Sequence, residues 1–296
     1  MRILRQVIFS LPLVLLVVLY SYGEQMNPSG RLIYSAGDSK IVLLDLGLRK
    51  SEVIYDRSPD VALIERLTKV SDDKFLFQEC PITETCMLKE FDLITKNITT
   101  LRKGKMPTYV AKANKLFFYS LTHDTNEKWL FVASLDASST SVKVAKAPPR
   151  VQLPNGLLSD REAPALEISP DQVLFVGEDY HLWIYQIPQS TLRPTGIAHS
   201  LPVAWRSLTQ DLICYDWDAK AYYQINLETK QTRPLPQYES AFGLLYIPQL
   251  DTLVYAKTRL YLFVSERYDI FAYEFSHDKE IKLQSNAGMA TGIWLP

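Results

Sequence analysis

The sequence predicts an all-β fold: a six-bladed β-propeller closed by its C-terminal strand joining the first blade. Three observations carry that expectation. From residue 30 onward helix periodicity is scarce, and short runs of β-branched and aromatic residues alternate with polar turns. Six segments share one pattern: an apolar strand, a turn, a longer strand ending in an apolar residue, a turn and a short final strand. The ends of the chain are complementary. The first unit begins at Arg31–Ser35 with no inner strand before it, and Ala290–Leu295 adds one run after the last unit finishes near Gln284.

The middle strands of the six units are Ile41–Leu46, Met87–Leu93, Leu130–Leu135, Leu182–Ile187, Ala221–Ile225 and Ile270–Phe275. Their closing apolar residues are Leu46, Phe91, Leu135, Ile187, Ile225 and Phe275, with separations of 45, 44, 52, 38 and 50. A period near 45 with several strands per unit is that of propeller blades. A ring closed by the terminal run also removes free sheet edges. The competing arrangement, a two-sheet sandwich with a stray terminal strand, has no natural place for six matched units.

The N-terminus reads as an export or anchor segment over residues 1–23, followed by a linker at 24–30 and the propeller at 31–296. Arg2 and Arg5 give a basic start, and Val7–Leu19 is apolar apart from Ser10 and Pro12. Ser21 and Gly23 fit the −3 and −1 positions of a signal peptide cut before Glu24. The alternatives are an uncleaved helix over residues 4–22, which nearly reaches spanning length, and a buried helix. Either of the first two readings places the body outside the cytoplasm, periplasmic or secreted.

Composition bounds the function. Hydrophobic residues make up 47% of the 296, enough for a large core, which argues against disorder. Lys and Arg total 32 against 33 Asp and Glu, so no basic excess marks a nucleic-acid binder. The three cysteines are too few for a disulfide-built scaffold. Cys80 and Cys86 bracket a turn between the strand-like runs Lys74–Gln78 and Met87–Phe91. If those runs pair, the two sulfurs meet across the hairpin mouth, and a disulfide there suits an oxidising compartment. Cys214 lies in an apolar run and reads as a free core thiol.

The segment Ser169-Pro170-Asp171, followed by Val173-Leu174-Phe175-Val176 and Leu182-Trp183-Ile184-Tyr185, resembles the repeat of TolB-like six-bladed propellers. Ser71-Asp72-Asp73-Lys74-Phe75-Leu76-Phe77 is a looser copy. The resemblance implies a WD40-like ring used mainly for protein–protein contact in the bacterial envelope. It covers two blades well. The family's glycine after Ser-Pro-Asp is Gln172 here, and its separate N-terminal domain has no counterpart.

In a four-stranded blade, the loop between second and third strands and the loop between blades emerge on one face. The long segments fall mostly in those classes: Glu79–Cys86, Leu121–Lys128, Ala145–Glu162 and Lys257–Tyr268. Loops on a rigid scaffold commonly carry binding. The candidate binding residues are therefore His123, Asp124 and Asn126 in a polar turn, Asp160 and Arg161 in the long interblade segment, and Tyr261, Phe263, Arg267 and Tyr268. The last four belong to an apolar run that forms either an extra strand over the face or a contact patch.

No Gly-x-Ser-x-Gly elbow, His-Glu-x-x-His or paired Cys-x-x-Cys occurs. The expected function is an extracytoplasmic binding module or scaffold for envelope or secreted proteins, without nucleic acid. Its contact with membrane runs only through residues 4–22 if they stay uncleaved. Enzymatic activity is the less favoured reading, no catalytic residues are assigned, and no cofactor is indicated. The alternatives are a lactonase-like hydrolase, for which calcium is the candidate ion, and a propeller binding carbohydrate or another small ligand.

Overall fold

The computed structural model describes residues 30–36, 39–57, 61–81, 85–122, 127–136, 139–149, 151–152, 158–159, 163–216, 218–235, 241–261, 265–285 and 292–295. The first blade joins β26 (Gly292–Leu295) to β1 (Arg31–Ala36), β2 (Lys40–Asp45) and β3 (Lys50–Asp56). The second runs β4 (Val61–Lys69), β5 (Lys74–Pro81), β6 (Met87–Asp92) and β7 (Ile98–Lys103). The third is β8 (Lys105–Val110), β9 (Lys115–Leu121), β10 (Lys128–Ser134) and β11 (Val142–Lys146). A small hairpin, β12 (Val151–Gln152) with β13 (Leu158–Ser159), interrupts the next connection. The fourth blade holds β14 (Leu166–Ser169), β15 (Gln172–Val176), β16 (His181–Gln186) and β17 (Thr191–Ala198). The fifth holds β18 (Ser200–Arg206), β19 (Asp211–Asp216), β20 (Ala221–Asn226) and β21 (Thr232–Pro234). The sixth holds β22 (Ala241–Ile247), β23 (Thr252–Tyr261), β24 (Ser265–Glu274) and β25 (Lys279–Gln284).

The six middle strands of the sequence pattern are the third strands of the six sheets. The ring closes as the chain ends require: β26 lies antiparallel to β1, with Leu295 opposite Arg31 and Gly292 opposite Tyr34. Gly30 makes that junction possible. Its φ is +137°, and a Cβ there would sit 2.2 Å from Cζ2 of Trp294.

The core is divided among the interfaces between blades. Leu32, Tyr34 and Trp294 pack with Ile247 and Val254 between the first and sixth blades. Ile33, Ile41 and Ile293 pack with Phe75 and Phe77 between the first and second. Neighbouring residues of one strand thus enter different clusters, since successive side chains point to opposite faces. Leu76 joins the interface with the third blade while Phe75 and Phe77 join that with the first. This explains why second strands read as unbroken apolar runs: both faces are covered. Deleting a phenylalanine ring from such an interface costs about 3–5 kcal/mol.

In five of the six blades a repeated backbone bond fastens the end of the third strand to the residue just before the second strand. The N–H groups of Leu46, Leu93, Ile187, Leu227 and Phe275 donate to the carbonyls of Gly30, Asp73, Asp171, Gln210 and Asp251. In the second and fifth blades this residue falls two positions beyond the expected Phe91 and Ile225, whose side chains are core instead. Ser169–Asp171 and Ser71–Asp73 form the same turn: the N–H of Asp171 reaches Ser169 Oγ at 3.4 Å, and that of Asp73 reaches Ser71 Oγ at 3.4 Å.

The hairpin expected around the cysteines is present, with Lys74 opposite Asp92 and Glu79 opposite Met87. Cys80 and Cys86 are joined by a disulfide with Cα atoms 4.0 Å apart. Cys214 is free and buried, and burial pushes its thiol up to about 12.

Candidate functional site

The inner strands β26, β4, β8, β14, β18 and β22 each pair on one side only. Their other edge faces the axis of the ring. Between them lies a cavity of about 700 Å³, lined by residues from all six. It is deep enough to reach Pro170, Ser207 and Pro248, in the turns where three inner strands hand over to the second strands. The proline content of the wall follows from its edge character. A strand with an unpaired side tolerates residues that lack an N–H donor, and Pro107 and Pro202 both line the cavity from within inner strands.

Bulges shape the wall. The inner-to-second pairing slips between Glu65 and Thr68, Lys105 and Thr108, Glu167 and Ser169, Pro202 and Ala204, and Phe242 and Leu245. A bulge bends a strand and re-aims one side chain. In β4 it sets Arg66 at φ +57°, a left-handed conformation that a non-glycine residue adopts at a cost. Arg66 lines the cavity, and its Nε is enclosed without a hydrogen-bond partner among the described residues.

Glu167 of the fourth blade lines the same cavity. It is exposed, and the partial desolvation that the surrounding protein imposes raises its carboxyl above the ordinary value. Trp205 lines the fifth blade's sector, and its indole N–H is likewise enclosed without a partner among the described residues. Leu166, Leu201, Leu244 and Leu245 make much of the remaining wall. Thr108 Oγ1 donates to the carbonyl of Ala165 at 2.5 Å and ties the third blade to the fourth there.

The deeper aromatic residues are structural. Tyr222 donates from its hydroxyl to the Ala241 carbonyl at 2.8 Å, and burial pushes its phenol up to about 12. Tyr246 donates to Asp251 Oδ1 at 2.8 Å. Asp251 also accepts two bonds from Arg206, from Nε at 2.8 Å and Nη2 at 2.6 Å. Arg206 stacks on Phe275 with 4.1 Å to the ring centre, so this cluster locks the fifth blade to the sixth.

None of the candidates named from sequence is among the described lining of the cavity. His123, Asp124, Asn126, Asp160, Arg161 and Phe263 fall outside the described residues. Tyr261 pairs with Ser265, Arg267 with Arg259 and Tyr268 with Thr258. The run Lys257–Tyr268 is therefore no separate strand over the face. It lengthens β23 and β24, ten residues each, whose pairing runs from Thr252 opposite Glu274 to Tyr261 opposite Ser265. None of the described lining of the axial cavity comes from Lys257–Tyr268. Lys146 pairs with Glu127 at 2.9 Å, and Lys143 sits 4.9 Å over the Trp129 ring. His181 is exposed at the start of β16, and its Nδ1 lies 3.2 Å from Asp179 Oδ2.

Among the described residues, no group of three or more His, Cys, Asp or Glu is placed to hold a metal ion. Glu167 is the one carboxylate among the described lining of the cavity. A calcium-dependent lactonase needs several axial oxygens, and that donor set is not found among them. The arrangement suits recognition: a concave, mainly apolar chamber with a few polar groups converging on it.

Fold and site together define a six-bladed β-propeller with an axial chamber. No protein-family model matches the chain, and no curated protein matches it in sequence. Among solved structures it is similar to an oligogalacturonate lyase in complex with manganese, at 13% identity and TM-score 0.52, over 77% of this chain and 70% of that one. A protein of unknown function from Bacteroides thetaiotaomicron is similar at 7% identity and TM-score 0.52, over 87% and 73%. A prolyl endopeptidase is similar at 12% identity and TM-score 0.50, over 88% of this chain and 50% of that one. At such identities the likeness shows the shared propeller fold alone.

Proposed function

We propose that this protein is an extracytoplasmic binding propeller whose ligand sits in the axial cavity. The observation that carries the reading is the cavity itself. All six inner strands contribute to it, it falls within the size range of small-molecule sites, and Arg66 Nε and Trp205 Nε1 in its wall are enclosed without a partner among the described residues. The export segment expected at residues 1–23 supports the compartment. The TolB-like repeat in the second and fourth blades supports an envelope role.

Leu244→Trp tests the site, because Leu244 lines the cavity from the sixth blade and is half-buried. A small-molecule panel read by thermal shift should reveal one class that raises Tm of the native protein by mass action. That shift should vanish in Leu244→Trp while the variant's own cooperative melt persists. A shift of equal size in both proteins would place binding elsewhere.

A second reading has its own observation. The extended β23–β24 pairing, which includes Tyr261, Arg267 and Tyr268, leads into a connection between second and third strands and suits contact with a partner protein. Charged replacements at Tyr261 and Phe263 should then abolish capture of envelope proteins in native cells and leave the melt unchanged. Undiminished capture would remove that patch from the account.

A further inference from the structure

Resting on the axial-cavity reading, we infer that the chamber takes a small amphiphilic monocarboxylate. Its carboxylate meets the Arg66 guanidinium, and its apolar body lies against Trp205 and the leucines of the fourth to sixth blades. The argument starts from Arg66. Arg66 is partly buried, and a cation drawn out of water gains from a counter-charge or from hydrogen-bond acceptors. Arg66 has no ion pair among the described residues, and its Nε is enclosed without an acceptor among them. The second blade nevertheless presents this residue through a bulge, in a left-handed backbone conformation. Local folding does not call for a long charged side chain at such a position, where glycine or asparagine is the easier fit. A ligand anion supplies the missing partner.

The rest of the wall narrows the chemistry. The guanidinium fork matches a planar two-oxygen acceptor. Glu167 shares the cavity, and a second negative charge there works against a ligand of high charge density such as a phosphate dianion. A single carboxylate is the anion that satisfies both residues. Leu166, Leu201, Leu244 and Leu245 together with the Trp205 ring provide an apolar surface on three consecutive blades. A fully hydrated polyanion would leave that surface unused. An acid with an apolar body covers it.

The test titrates the full chain with 3-phenylpropionate, with the neutral 3-phenylpropan-1-ol and with inorganic phosphate. The native protein is compared with Arg66→Gly, Arg66→Asn and Leu244→Trp. Glycine and asparagine both accept the backbone of position 66, so at least one cation-free variant remains folded for comparison. The expected result is saturable binding of the acid, at least about tenfold tighter than the alcohol and than phosphate. Removing Arg66 should bring the acid down to the alcohol's affinity, and Leu244→Trp should weaken both. Equal binding of acid and alcohol, unchanged without Arg66 but lost in Leu244→Trp, overturns the carboxylate inference and leaves the cavity reading standing. Phosphate binding as tightly as the acid overturns the amphiphile. Acid binding untouched by Leu244→Trp overturns the cavity reading as well. No saturation by the acid into the millimolar range also overturns the inference.

Discussion

At the scale of single residues, two arginines of inner strands show how the same side chain serves structure or recognition according to its partners. Arg206 is fully engaged, with two bonds to Asp251 and a ring beneath it, whereas Arg66 is held out by a bulge toward the chamber. The first arrangement has a measurable pH signature. Arg206 hydrogen bonds hold the Asp251 carboxyl below the ordinary aspartate value. A group with a depressed folded pKa stabilises the fold above its unfolded pKa, and that contribution is lost as pH falls through the folded value. Asp251→Asn keeps the left-handed backbone and removes the charge, so it should cost about 2 kcal/mol at neutral pH. The deficit should shrink as the pH of a urea melt is lowered below about 4. A deficit constant across pH would contradict the assignment. Neither arginine's role was legible in the sequence. Arg66 sits in the run Val61–Lys69, which reads as a plain strand, and the slip that turns it inward leaves no mark in residue type.

At the scale of elements, the β5–β6 hairpin was readable because its signal is local: two strand-like runs, a short turn and cysteines at matching positions. The disulfide closes a loop with a sequence separation of 6, so chain entropy limits its contribution to about 2 kcal/mol. Cys80→Ser with Cys86→Ser should lower stability by that amount in a non-reducing melt and leave the ring assembled. A loss of fold would mean the bridge organises more than its own hairpin. One route for that exists, since Gln78, next to the bridge at 3.2 Å from Cys80 Sγ, accepts a bond from the Met106 N–H of the third blade at 2.8 Å. The inner strands were harder to place. Five of them are bulged, and β8 and β18 are interrupted by proline, which weakens the alternation by which strands are recognised. Those prolines were themselves the available signal. Pro107 and Pro202, inside strand-like runs, mark edge strands, and the edge strands of a propeller ring that are not outermost line its axis. The apolar run Lys257–Tyr268 misled in the other direction. An extended hairpin and an added strand carry the same pattern, and only the pairing of Thr252 with Glu274 through to Tyr261 with Ser265 tells them apart.

At the scale of the whole molecule, the repeat and its closure were the most legible features, because each blade repeats one burial pattern and the two chain ends complete each other. Trp294 is the keystone of that closure, packed with residues of both the first and sixth blades and against Gly30. Trp294→Ala should destabilise the protein by about 3–5 kcal/mol, and hydrogen exchange should quicken in β1 and β26 ahead of the fourth blade. Uniform quickening around the ring would argue that the closing strand is not its weakest joint. The axial site was illegible for a related reason. It is assembled from one or a few residues of each of six strands spread from Arg66 to Gly292, so no stretch of sequence contains it. The measurement that bears most directly on the account is native mass spectrometry of the protein gently isolated from its own cells, beside Leu244→Trp prepared in the same way. The account predicts that the native protein carries a small organic ligand and that Leu244→Trp flies bare. A native protein that carries no small molecule, or a ligand retained equally by both, would contradict an axial binding site.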